Sequence, residues 1–210
     1  MRAPILALTL IVAATLSACS GTASPSASTS ANGCPTAQPP TLGAEVSNDI
    51  AIKTTLGTIV VRLAVQNSPI AVSNFTALAS CHFYDNVIFH RIAYMEDGTP
   101  FVIQGGDPTG TGSGNPGYFI KDEPVIGTYR RGVIAMARSS QPNSQGSQFF
   151  IVLDDAAAVP LEQARTYAIL GEVVSGMEVV DAIAALERDG QDRPIDPPAI
   201  LSTTVTPTAP

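Results

Sequence analysis

Between Asp49 and Val205 the apolar residues come in short, strand-like runs, and only two stretches carry helical spacing. Ile59, Val61, Leu63 and Val65 alternate along Thr58–Val65. With Asp49–Thr55 before them and Gly57 between, they read as a β-hairpin. Further strands are expected around Val87–Arg91, Phe101–Gln104, Gly132–Ala137, Gln148–Leu153, Tyr167–Val174 and Ile200–Val205. Ser68-Pro69 opens a helix, with Ser as N-cap and Pro in the first turn, and Val72, Phe75, Leu78 and Ala79 form its apolar face. A second helix is expected from Met177 to about Arg188, with Gly190 beyond its end. Strands and helices do not alternate as a parallel sheet requires. The pattern predicts a mainly β chain, an antiparallel sheet closed into a barrel with helices over its open ends.

Three of the strand-like runs hold long polar side chains: FHRI at Phe89–Ile92, FVIQGGDPTGTG at Phe101–Gly112 and GSQFFI at Gly146–Ile151. Arg91, Gln104 and Gln148 sit among aromatic and aliphatic residues. A strand buries such groups only where they have partners or a task.

Composition narrows the tasks. The formal net charge is −7, which argues against a basic face for nucleic acid. His82 and His90 are the only histidines and cannot form a His/Cys metal site without carboxylates, so no metal and no cofactor are expected. His90 precedes Arg91 on a strand, points to the opposite face and reads as structural. There is no GxSxG, so a Ser–His–Asp hydrolase has no support. Gly105–Gly117 carries six glycines, yet no Lys-Ser or Lys-Thr and no helix start follow, so a phosphate-binding loop is a weak reading.

The first 18 residues read as a targeting segment, with Arg2 followed by the apolar Ile5–Leu16, too short to span a bilayer. Leu16-Ser17-Ala18-Cys19 resembles a bacterial lipobox, which implies cleavage before a lipidated Cys19 and a protein held on the extracytoplasmic side of the bacterial cell membrane by acyl chains. An ordinary signal peptide with an incidental Cys is the bland alternative. Residues 19–46 follow as a Ser/Thr/Ala/Pro-rich stretch, expected to be a flexible tether, and 47–207 as the folded domain. Outside the cytosol Cys34 and Cys81 can pair, or stay as two free thiols; spacing leaves both open.

The three runs, in this order and at this spacing, resemble the active-site strands of cyclophilins, the peptidyl-prolyl cis–trans isomerases. The resemblance covers about Ile50–Val205. It implies an eight-stranded closed barrel with two capping helices, and isomerisation of X–Pro bonds; with the targeting segment, the expected substrates are exported proteins. Arg91 becomes the catalytic arginine, and Gln104 the residue that holds Arg91 and the substrate carbonyl. Phe101, Val102, Phe150 and Leu161 would form a socket for the proline ring. Ala137 and nearby backbone in MARSSQPNSQG would bind the residue before proline, with Gln148 supporting the site. The partners implied are proline-containing polypeptides, and the protein is expected to be a monomer. A tethered proline-binding or chaperone module is the alternative from another class.

The chain also departs from the family pattern. Residues 92–100 are longer than in familiar members, which predicts an enlarged loop at the rim, Tyr94–Gly98. Tyr167 stands where many relatives have His. The chain has no Trp, the residue many members use for cyclosporin, so weak cyclosporin binding is expected.

Overall fold

The computed structural model describes residues 29, 30 and 32–208. The expected signal segment and Cys19 lie outside the described residues. Eight strands and three helices follow in the order β1 Asn48–Thr54, β2 Gly57–Leu63, α1 Pro69–Ser80, β3 Ile88–Tyr94, β4 Pro100–Asp107, β5 Val133–Met136, β6 Phe149–Val152, α2 Ala158–Ala164, β7 Ile169–Ser175, α3 Met177–Ala184 and β8 Ile200–Pro207. A 3-10 turn at Asp155–Ala157 leads into α2. No described helix is long and apolar enough to cross a membrane.

All ladders are antiparallel, and the strand order is β3-β4-β6-β5-β7-β2-β1-β8. The sheet is an open half-barrel rather than the closed barrel expected. Its two end strands, β3 and β8, form no ladder with each other; Ile88 of β3 makes one isolated bridge to Ala199, the residue before β8. The segment that could extend a β3–β8 ladder carries Pro194, Pro197 and Pro198, none of which has an N–H to donate. Residues 185–199 instead run along the free edge of β3, where Ile92 N donates to Asp192 O at 2.8 Å and Phe89 N to Pro198 O at 3.0 Å.

Two expectations about helices also change. There are three rather than two, because Ala158–Ala164 forms one further helical segment. The last helix stops at Ala184, short of Arg188, since Glu187 O accepts from Ile195 N and Arg188 bridges Pro194 in a hairpin. Ser68 occupies the N-cap position of α1 but makes no side-chain cap bond. Glu123 caps it from far along the chain: its two oxygens accept from Ile70 N and Ala71 N, both at 2.8 Å. A carboxylate there also faces the positive end of the helix.

Strand periodicity divides the core. In β5 and β6, Ile134, Met136, Phe149 and Ile151 join the main core with Phe75 and Leu78 of α1 and Val180 and Ile183 of α3. The alternate residues, Val133, Ala135, Phe150 and Val152, join a second cluster with Val102, Leu161 and Ile169. Both faces of these strands are buried, which explains why VIAM and FFIV read as unbroken apolar runs.

The expected tether is in part docked. Cys34 is disulfide-bonded to Cys81, just after α1, and Pro35 and Pro39 are buried. Leu42 packs against the core, and its N–H donates to Ser73 Oγ at 2.7 Å. The cross-link removes chain freedom that a polar tail would otherwise keep, and prolines have little backbone entropy left to lose.

Candidate active site

Cross-strand register builds one lateral row from five strands. Arg91 on β3 lies opposite Gln104 on β4, Gln104 opposite Phe150 on β6, Phe150 opposite Ala135 on β5, and Ala135 opposite Ile169 on β7. Residues directly opposite project to the same face, so the row carries a cation, an amide and an aromatic ring side by side. Ala93 and Val102 form a neighbouring pair on the same face.

A pocket of about 150 Å³ opens on this face, lined by Arg91, Phe101, Val102, Gln104, Ala137, Arg138, Phe150, Leu161 and Tyr167. Of the catalytic and substrate-binding residues named from the sequence, only Gln148 is not on this lining. It lines a second, adjoining hollow of about 310 Å³ that shares Gln104, Ala137 and Arg138 with the first and also carries Phe119. Val102, Phe150 and Leu161 are buried, which gives the pocket an apolar floor. Tyr167 stands edge-on to Phe150, with ring centroids 5.3 Å apart. Its backbone is fixed by Tyr129, whose hydroxyl donates to Tyr167 O at 2.6 Å.

The polar groups are held differently from what was expected. Gln104 does not bond Arg91; its Nε2 donates to Gln148 Oε1 at 2.9 Å. Gln148 in turn donates to Gly112 O at 3.0 Å and Gly114 O at 2.9 Å. The amide pair is therefore anchored in the glycine-rich loop. Arg91 finds another partner, Asp192, with Nη2 to Oδ2 at 3.2 Å. Arg138, which the sequence did not single out, is held by Asp122 at 3.0 Å.

Asp107, at the end of β4, organises that loop. Its carboxylate accepts from Thr109 N, Thr109 Oγ1, Thr111 N, Gly112 N and Gly114 N, at 2.6 to 3.1 Å. Burial alone would raise its pKa, but the bonds from Gly114, Thr109 and Gly112 outweigh this and hold it at about 2. An Asp followed two residues later by Thr-Gly is a readable turn signal. Gly106 beside it, at φ 87°, lets β4 cross closely: a Cβ there would lie 2.4 Å from Ser147 O.

His90 is buried, and neither ring nitrogen has a hydrogen-bond partner. Burial pushes its pKa down; Asp107 opposes this, while Arg193 and Arg91 add to it. It does not line the pocket, in keeping with a structural reading. Residues 95–99 do not line it either. They form a tight turn between β3 and β4, closed by Met95 N to Thr99 O at 2.8 Å, in place of the enlarged rim loop expected. Among the described residues, no group of three or more His, Cys, Asp or Glu is placed to hold a metal ion.

Comparison with known proteins gives the class of this half-barrel and its donor-rimmed apolar pocket. The family model for cyclophilin type peptidyl-prolyl cis-trans isomerases matches residues 49–205, and the chain belongs to that family. A peptidyl-prolyl cis-trans isomerase of Arabidopsis thaliana is 39% identical over 162 residues, 75% of this chain and 93% of that protein. A probable peptidyl-prolyl cis-trans isomerase A of Mycobacterium bovis is 37% identical over 174 residues, 74% of this chain and 90% of that protein. A crystal structure of a Cryptosporidium parvum cyclophilin type isomerase aligns with a TM-score of 0.67 at 32% identity, covering 78% of this chain and 99% of that one. A second structure of that parasite's isomerase, in the presence of the dipeptide Ala-Pro, aligns with a TM-score of 0.66 at 34% identity, covering 75% of this chain and 98% of that one. This chain is a peptidyl-prolyl cis–trans isomerase.

Proposed function

We propose that the protein accelerates X–Pro isomerisation in exported polypeptides, with Arg91 as donor to the prolyl nitrogen. The observation that carries the reading is the shared row: Arg91, Gln104 and Phe150 lie side by side and line one pocket. The barrier to rotation, about 18–20 kcal/mol, comes from delocalisation of the nitrogen lone pair into the carbonyl. In the twisted transition state that pair is localised and can accept a hydrogen bond. A donor placed there stabilises the transition state selectively, which is what raises kcat. Arg is suited to the task because it is always charged and has five N–H groups in fixed geometry.

The proline ring enters the socket of Phe101, Val102, Phe150 and Leu161, with Tyr167 at its side. That the parasite relative was crystallised in the presence of the dipeptide Ala-Pro supports a prolyl ligand for this family member. Gln104, steadied by Gln148, binds the substrate carbonyl, and the backbone at Ala137 takes the residue before proline. The test is the isomerisation rate of Arg91→Ala. A tethered proline-binding module needs the socket but not the donor, so equal rates for variant and wild type would favour that second reading.

Export is the other half of the proposal. Its support is the Leu16-Ser17-Ala18-Cys19 stretch and the Cys34–Cys81 disulfide, a bond that persists in oxidising compartments. Cys19 then carries the lipid that anchors the protein to the outer side of the cell membrane. Mass spectrometry of the membrane-bound protein is expected to find an acylated Cys19 as first residue; an unmodified Cys19 removes the anchor. Cyclosporin binds weakly on this reading, because the chain has no Trp and Val159, Pro160 or Leu161 stands in its place. Inhibition at nanomolar concentrations would overturn it.

A further inference from the structure

We infer that Asp192 is the positioning residue for Arg91, delivered by the loop that fills the open seam of the half-barrel. The inference deepens the reading of Arg91 as donor and rests on it. Gln104, the cross-strand neighbour of Arg91, has its Nε2 committed to Gln148. The carboxylate of Asp192 is the side-chain acceptor that Arg91 has, through Nη2 at 3.2 Å.

Asp192 is itself firmly placed. Its backbone carbonyl accepts from Ile92 N at 2.8 Å, one residue along β3 from Arg91, so backbone and side chain of the two segments are clipped together. Its N–H donates to Asp189 O at 3.2 Å, and Asp189 Oδ1 accepts from Gln191 N and Arg193 N, which closes the turn. The other carboxylate oxygen lies 3.7 Å from Arg188 Nε. Arg188 in turn lies over the ring of Tyr94, 3.9 Å from its centroid, and Tyr94 donates to Ala184 O. The carboxylate is thus shared by two arginines and held on a built support.

Geometry separates positioning from binding. Arg91 lines the pocket and Asp192 does not. The pairing fixes one end of the guanidinium from outside the pocket. The remaining N–H groups are left for the substrate. An unpaired Arg carries much rotamer freedom, which it would lose only as the transition state forms; a side chain ordered beforehand avoids that loss. The side chains are about 42% and 34% exposed, so the pair contributes little to global stability and its effect falls on the rate.

The test uses the full chain and an X–Pro peptide. Asp192 has φ 65°, a left-handed conformation that Asn and Gly also adopt, so Asp192→Asn and Asp192→Gly remove the charge and keep the turn. Each is expected to lower kcat/KM roughly three- to tenfold, through kcat, with KM within about twofold. In an Arg91→Ala background the same changes are expected to alter the residual rate less than about twofold, because the positioned group is gone. A wild-type or raised kcat/KM in both variants, or an equal loss without Arg91, would overturn the inference. Arg91→Ala at the wild-type rate would remove the donor reading and this one together. An inactive Arg91→Ala beside fully active Asp192→Asn and Asp192→Gly would remove only this one.

Discussion

Arg91→Ala lowers kcat/KM for X–Pro isomerisation by about a hundred- to a thousandfold, the usual loss when one donor to a developing charge is removed. The fold survives the change. The Arg91 side chain is about 42% exposed and its side-chain bond is to Asp192 on the surface loop, while the backbone pairing with Gln104 needs no side chain. The socket also survives, since its floor is Val102, Phe150 and Leu161, all buried. The expected signature is therefore a fall in kcat with proline-peptide affinity nearly kept. Progress curves at low temperature, with circular dichroism as the control for folding, decide it. Equal rates for variant and wild type would sink the donor mechanism.

Asp107→Asn is expected to cost about 2–4 kcal/mol of stability at neutral pH and to lower activity as well. Asn keeps the size but turns one acceptor into an NH₂ group. That group would face N–H donors among Thr109, Thr111, Gly112 and Gly114 that now point at a carboxylate. The loop that loosens is the one whose carbonyls hold Gln148, and through it Gln104.

The pH dependence has a definite sign. Asp107 has its folded-state pKa lowered from 3.8 to about 2, so its stabilisation is complete above pH 3.8 and is lost as pH falls towards 2. The shift corresponds to about 2 kcal/mol. Urea unfolding from pH 7 down to pH 2 should show the gap between wild type and variant narrowing below about pH 4. A gap that stays constant over that range would refute the role given to this carboxylate.

The site was legible in the sequence to an uneven degree, and the reason is the distance over which each interaction acts. Strand alternation places Arg91, Gln104 and Phe150 on comparable faces, and the local pattern is enough for that. The socket residues could be named because the family motifs hold them in order. The partner of Arg91 could not be found this way. Asp192 lies 101 residues along the chain. The Asp189-Gly190 turn signal near it says nothing about which strand the turn will meet. Glu123 is the same case: Ser68-Pro69 looks sufficient to start α1, yet the N–H groups of Ile70 and Ala71 are satisfied by a carboxylate 53 and 52 residues away. The tail misled in the opposite direction. Its composition favours disorder, but a cross-link and two buried prolines dock part of it.

The sequence by itself determined the mainly β character, the two longer helices and the Arg–Gln–Phe motif, because periodicity and motif spacing are properties of neighbouring residues. Only the tertiary structure decided that the barrel stays open, that a proline-bearing loop fills its seam, and that this loop brings Asp192 to Arg91 while Gln104 turns to Gln148. Those outcomes depend on which backbone groups and charges are left unpaired once the sheet has formed, and that is fixed by the whole fold rather than by any one segment.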